Sequence, residues 1–173
     1  DKQRKFLRDD NLRAVLVVRV ESPRIAAEWN NNMQAFVEGL GQGIPVNISS
    51  DPRNETRAWA EYNAGSGGKI SLWPSPLGLA ATFDPELVEK FGRIASAEYR
   101  ALGIATALSP QIDLATEPRW NRFYGTFGED PDLDTDMARA YIDGFQTSVG
   151  AAEIADGWGY ESVNAMVKHW PGG

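Results

Sequence analysis

The chain has 173 residues, 42% of them hydrophobic, with a net charge of −7 at pH 7, one histidine and no cysteine. That length and composition describe one domain of an ordinary globular protein. The acidic balance excludes a general nucleic-acid binder, the missing cysteines exclude disulfides, thiolate nucleophiles and Cys-ligated metals, and the lone histidine excludes a His-rich metal site.

Ala14-Val15-Leu16-Val17-Val18-Arg19-Val20 is a near-continuous β-branched run, which predicts a strand covered on both faces. Ala26, Trp29, Met33, Phe36, Val37 and Leu40 then recur at helical spacing, with Gly41 and Gly43 as stop signals. Ile44 to Ile48 reads as a second strand, its Pro45 tolerable near the start of a strand. Residues 50–80 are rich in Gly, Ser, Pro and Asn and read as a long loop, of the kind that is usually functional or disordered. Asp84-Pro85-Glu86 opens a helix whose apolar stripe runs from Leu87 to Leu102 and which Gly103 ends. A third strand follows at 104–108, then a polar loop to about Asp132. Met137, Ala138, Tyr141, Ile142 and Phe145 mark another helix, and 163–168 a fourth strand.

Strand and helix alternate, which predicts a parallel α/β architecture. No Gly-x-Gly-x-x-Gly follows any strand, and no phosphate-cradling Gly-rich loop with Lys is present, so a dinucleotide or nucleotide site is not expected. A (β/α) barrel fits better. It typically needs about 250 residues, and only about four strands are visible, so the chain is either a smaller open sheet or a truncated barrel.

The polar residues cluster after strands, on the rim where barrels and open sheets place their ligand sites. Asp51 follows 44–48. Asp113, Arg119 and Arg122 follow 104–108, and Lys168 and His169 close 163–168. Asp51 in Ser50-Asp51-Pro52 is equally a turn former. Asp113 reads rather as a turn cap, Glu129-Asp130-Pro131 as a helix start and Arg119 as a surface or salt-bridging arginine. A lysine closing a buried strand needs a carboxylate or a ligand beside it, so Lys168 and His169 read as functional.

These groups suit a neutral polyol, because Arg, Lys and His donate to hydroxyls and an Asp accepts two of them. The six tryptophans offer flat rings for sugar C–H faces, although burial is their commoner use. Hydrolysis of a glycoside needs two carboxyl groups flanking the bond, and position alone nominates Asp51 and Asp113.

Three segments, in order, resemble glycoside hydrolase family 3 β-glucosidases. They are Trp73-Pro74 through Leu79-Ala80-Ala81-Thr82-Phe83-Asp84; Ser109-Pro110-Gln111-Ile112-Asp113 with Pro118-Arg119-Trp120-Asn121-Arg122 and Glu129-Asp130-Pro131; and Lys168-His169-Trp170-Pro171-Gly172. Asn121 stands where the family usually has glycine, and Trp170 where it has Phe. The resemblance implies that residues 1–173 are part of the N-terminal barrel of a retaining, exo-acting β-glycosidase of β-glucosidase type, a partial (β/α)8 TIM-like barrel with about four strands, truncated before closure. Its unpaired strand edges then predict association with a missing part or aggregation. It implies that Asp51, Arg122, Lys168 and His169 bind the non-reducing sugar and converge on one pocket. Arg119, Glu129 and Asp130 then look structural, supporting the loop from behind.

The resemblance implies further that the nucleophilic aspartate and the acid/base glutamate lie downstream, the latter in an α/β-sandwich domain, so no catalytic residue falls in this chain and the piece alone is inactive. The implied partners are a β-glucoside or oligosaccharide and the remainder of the same polypeptide, with no cofactor, metal, nucleic acid or membrane. β-Xylosidase and N-acetylglucosaminidase activities, or a non-catalytic sugar-binding α/β domain, remain as alternatives. A periplasmic or secreted location is favoured over a cytoplasmic one, although residues 1–6 lack the apolar stretch of a signal peptide.

Overall fold

The computed structural model describes residues 2–56, 69–148, 153–155, 157–170 and 172. A short helix α1 (Lys2–Arg8) precedes strand β1 (Ala14–Leu16), where the composition suggested no element. Helix α2 (Pro23–Glu38), strand β2 (Asn47–Ser50), helices α3 (Pro76–Ala80) and α4 (Pro85–Leu102) and strand β3 (Thr106–Ala107) follow. A 3₁₀ turn (Phe123–Gly125), helix α5 (Pro131–Gln146) and strands β4 (Glu153–Ala155), β5 (Trp158–Gly159) and β6 (Asn164–Ala165) complete the order.

Four helices open with one device. Ser22, Ser75, Asp84 and Asp130 each accept a backbone N–H of the first turn, and each is followed by proline. The side-chain oxygen satisfies an orphan donor, and the proline presets φ where its missing N–H costs nothing. Asp130 takes two such bonds, from Asp132 N at 3.0 Å and Leu133 N at 2.8 Å. Asp130→Ala is therefore expected to cost about 1 kcal/mol. Urea unfolding checks this as a lower midpoint at unchanged slope. At the other end of α4, Gly103 takes the left-handed φ of 80° that favours glycine and turns the chain into β3.

Strands β1, β2, β3 and β6 form one parallel sheet in that order. The order never reverses, unlike a doubly wound sheet, and is the way a (β/α) barrel winds. This is the parallel α/β class, with the sheet an arc of a TIM-like barrel. The register puts Val15, Ile48, Ser50, Ala107 and Ala165 on one face and Leu16, Asn47, Ser49, Thr106 and Asn164 on the other. The first face meets the helices, and Ile48 and Ala107 are fully buried there. On the second face Thr106 donates to Asn47 Oδ1 at 2.8 Å.

The strand expected at 14–20 is shorter, and it is covered on one face only. Leu16 and Val18 are 42% and 45% exposed, because β1 lies at the edge of the sheet and these residues point away from the helices. The strand expected at 163–168 has regular pairing only at 164–165. Beyond it the backbone still bonds to Ala107, Pro110 and Ile112, ending in a bridge of Lys168 with Gln111. Pro110, which has no N–H to give, interrupts the regular ladder on the neighbouring segment. The loop expected at 50–80 contains α3, and its residues 57–68 lie outside the described ones. The antiparallel pair β4–β5 was not foreseen.

Helix α4 packs on α5 so closely that Gly92 and Gly144 face each other backbone to backbone. Beside that contact Phe91, Tyr99, Tyr141 and Phe145 interlock. Tyr141 and Phe145 stack at 4.7 Å, while Tyr99 meets Phe145 edge-on at 5.5 Å. This cluster fixes the two helices whose tyrosines reach towards the strand ends. Among the described residues, no helix is long and apolar enough to cross a membrane.

Candidate functional site

Asp51 leaves β2 and is buried. Its carbonyl accepts the Tyr99 hydroxyl at 2.9 Å, which ties the strand end to α4. Two residues on, Arg53 is fully buried and donates from Nη2 to the Val17 carbonyl. Burial lowers its pKa, against the charge of Asp51. The segment carrying Asp51 is thus held from both sides.

Lys168, just beyond β6, reaches across to Asp51, with Nζ 2.6 Å from Oδ1. Both side chains are mostly buried, so their attraction is screened far less than at a surface. The next residue completes a second set. The bond between Lys168 and His169 is a cis peptide. His169 gives its backbone N–H to Asp113 Oδ1 at 3.2 Å, and its Nδ1 lies 2.8 Å from Asp113 Oδ2. A carboxylate only accepts, so Nδ1 carries the proton. The Nε2 lone pair then faces Arg122 Nη1 at 3.4 Å, and Arg122 Nη2 donates to Gln111 Oε1 at 3.3 Å. The line Asp113–His169–Arg122–Gln111 orients the guanidinium.

Asp51, Glu55, Gln111, Arg122, Tyr124 and Lys168 wall one cleft, with Ser109 and Tyr141 bonded to each other at 2.7 Å beneath. Burial pushes the Tyr141 hydroxyl above its ordinary range, opposed by the Ser109 bond. Of the four residues named from the resemblance, Asp51, Arg122 and Lys168 are walls of this cleft, and His169 stands behind Arg122. Two cations, two carboxylates and an amide thus line one cleft, an arrangement able to bind several hydroxyls of a neutral ring without excess charge.

One residue reading changes, and two hold. Asp113 is not a turn cap: only 2% exposed, it is the anchor of His169, because the fold brings residues 56 positions apart together. Arg119 is the surface, salt-bridging arginine that the sequence suggested, paired with Glu117 at 2.8 Å rather than supporting the loop from behind, and that bond lowers the Glu117 pKa to about 2. Asp130 is the helix start read from Glu129-Asp130-Pro131, capping α5, while Glu129 is exposed.

Glu55 and Gln111 were missed. The polar run Asp51-Pro52-Arg53-Asn54-Glu55 straight after a strand was the available signal for the first. Gln111 lies between a proline and an isoleucine, which marks it in no way.

The family description "Glycosyl hydrolase family 3 N terminal domain" matches residues 1–173. "Periplasmic beta-glucosidase/beta-xylosidase" of Dickeya chrysanthemi is 49% identical over 152 residues, covering 88% of this chain and 22% of that protein. "Beta-glucosidase C" of Emericella nidulans is 45% identical over 150 residues, covering 85% and 22%. Among solved structures, a β-glucosidase involved in saponin metabolism from intestinal bacteria superposes with a TM-score of 0.73 at 26% identity. That match covers 98% of this chain and 20% of the other. A family 3 β-N-acetylglucosaminidase from Paenibacillus sp. str. FPU-7 gives 0.77 at 23% identity over 99% of this chain and 30% of its own, a likeness of fold. The chain thus spans 22% of the length of the two curated relatives.

Proposed function

The chain belongs to glycosyl hydrolase family 3, matching its N-terminal domain, and from that premise we propose that it grips the terminal sugar of a β-glucoside. The whole protein is then a retaining, exo-acting β-glycosidase of β-glucosidase type. The observation that carries this reading is the ion pair of Lys168 with Asp51 at 2.6 Å, set in one cleft with an Arg122 held by His169.

Each group has a distinct task. Lys168 and Arg122 donate to ring hydroxyls, and Asp51 accepts from them while cancelling the lysine charge. His169 directs Arg122, and Asp113 fixes the ring of His169. None of these is well placed to attack an anomeric carbon, since Asp51 and Asp113 are each already engaged by a cation or a ring N–H. The nucleophile and the acid/base carboxyl are assigned to sequence beyond these residues, the remainder of the same polypeptide being the partner that completes the barrel and the pocket. The name of the Dickeya relative supports a periplasmic location.

The same name favours a second reading, β-xylosidase. The N-acetylglucosaminidase likeness rests on fold alone and ranks below both. Calorimetric titration with glucose, xylose and N-acetylglucosamine separates them, glucose being expected to bind tightest.

Mechanism-based trapping with a 2-fluoro-glucoside tests the division of labour. In the longer protein the covalent label is expected on an aspartate outside residues 1–173, and this chain alone is expected to take none. Peptide mapping that finds the label on Asp51 or Asp113 overturns the assignment.

A further inference from the structure

One wall of the cleft runs from Asp51 to Glu55. Tyr99 and Lys168 hold its Asp51 end. The Glu55 end is held from the same helix, α4, by a carboxylate that does not line the cleft. Glu98 accepts the Asn54 side-chain amide at Oε2, the Ser71 N–H at 2.8 Å and the Ser71 hydroxyl at 2.8 Å. Ser71 Oγ in turn accepts Trp73 Nε1 at 2.9 Å, and the Trp73 ring meets Phe91 of α4 edge-on at 5.3 Å.

The two stretches so gathered are also paired through their backbones. Trp73 N–H donates to the Asn54 carbonyl at 2.6 Å and Thr56 N–H to the Trp73 carbonyl at 3.0 Å, which places Glu55 and Trp73 in a parallel bridge. Asn54 and Glu55 are 3% and 8% exposed. The position of Glu55 in the wall therefore depends on a clasp of Asn54 to Ser71, and Glu98 closes that clasp.

We propose that Glu98 is a positioning residue for the cleft: by joining Asn54 to Ser71 it fixes Glu55 in the wall, where Glu55 is a further acceptor for the hydroxyls of the sugar. The inference rests on the reading of the cleft as a sugar grip.

The clasp requires a carboxylate. Three donors point at Glu98, two of them at Oε2. An amide has one oxygen, and its NH2 would face either Asn54 Nδ2 or the Ser71 N–H, donor against donor. Turning the Asn54 amide does not cure this, because its Nδ2 also donates to the Ser71 carbonyl at 3.1 Å. Glu98→Gln thus opens the clasp while keeping the size of the side chain.

Calorimetric titration with glucose of the wild type, Glu98→Gln, Glu55→Gln and the double variant reads the role. Glu98→Gln is expected to weaken binding by about tenfold, the scale of one hydrogen bond to a charged group, and Glu55→Gln by a similar factor. The double variant is expected to stay within about twofold of the larger single loss, because both changes remove the same contact. Unchanged affinity in either single variant, or losses that multiply, overturn the inference. A part in the packing of α4 alone would lower the urea midpoint and leave the affinity of the folded protein where it was.

Alkylation of Glu55→Cys, followed by mass spectrometry of the peptide that carries it, reads the wall without any sugar. Position 55 is nearly buried, so labelling is expected to be slow, and about tenfold faster once Glu98→Gln is added. Equal rates overturn the inference. Should Glu55→Cys fail to fold, the calorimetric cycle decides. Glucose that does not bind the wild type removes the sugar reading, and the labelling then judges the role of Glu98 by itself.

Discussion

Lys168→Ala is expected to weaken glucose binding by about 100-fold and, on the function proposed above, to lower kcat/KM for a β-glucoside at least as much. The substrate loses a charged donor, worth roughly 1.5–3 kcal/mol, and at 1.4 kcal/mol per factor of ten the upper part of that range gives the stated loss. Asp51 also loses the cation 2.6 Å away that balances its charge. That penalty, about 3–5 kcal/mol for a fully buried pair, falls on the free and the bound protein alike and appears as lost stability, partly relieved by water because the side chains keep 15% and 10% of their exposure.

The pair also sets the outcome of a double-mutant cycle. Asp51→Asn relieves the stranded charge, so adding it to Lys168→Ala is expected to cost less than the sum of the single effects. Calorimetry with glucose on the four proteins measures the coupling. Unchanged binding and hydrolysis in Lys168→Ala would remove these residues from the site.

The second large effect lies in the packing of the two helices behind the cleft. Gly144→Ala is expected to destabilise the fold by about 2–3 kcal/mol, lowering Tm by roughly 5–10 °C for a chain of this size. A Cβ on Gly144 would sit 2.5 Å from the Glu89 carbonyl oxygen, 2.8 Å from Gly92 Cα and 3.0 Å from Arg93 N. All three are backbone atoms, so no side chain can turn aside and α4 and α5 must separate. The gain in helix propensity, about 1 kcal/mol, offsets only part of that. Gly39→Ala is the control: its Cβ would meet a single carbonyl at 3.6 Å, and its φ is −79°. Thermal unfolding followed by circular dichroism compares the two. Separation of the helices should reach the site as well, since α4 supplies the Tyr99 bond to Asp51 and α5 the Tyr141 bond to Ser109.

Much of the fold is written locally. Asp84-Pro85 and Gly103 bracket α4 because a cap and a left-handed turn are properties of a few adjacent residues. Ser22-Pro23 and Ser75-Pro76 carry the same signal, because the chemistry is identical. The run at 14–20 shows the opposite limit. Its apolar residues look alike in sequence, and only the order of the strands says that Leu16 and Val18 face away from the helices.

The site divides in the same way. Residues of the rim were legible because functional side chains follow strands, and a strand end can be found from its own composition. Asp51, Arg122, Lys168 and His169 follow from that, together with the family resemblance, and so does the kind of ligand they suit. The partnerships among them do not. Lys168 and Asp51 are 117 residues apart, and His169 and Asp113 are 56 apart. Such pairs form when the strands of one parallel sheet deliver their ends to one rim, next neighbours for His169 and Asp113 and with β3 between them for Lys168 and Asp51, and that depends on register and on how α4 and α5 pack beneath. Local spacing records which groups a segment can offer. It holds no record of which distant carboxylate meets which cation, or how deeply Asp113 is buried.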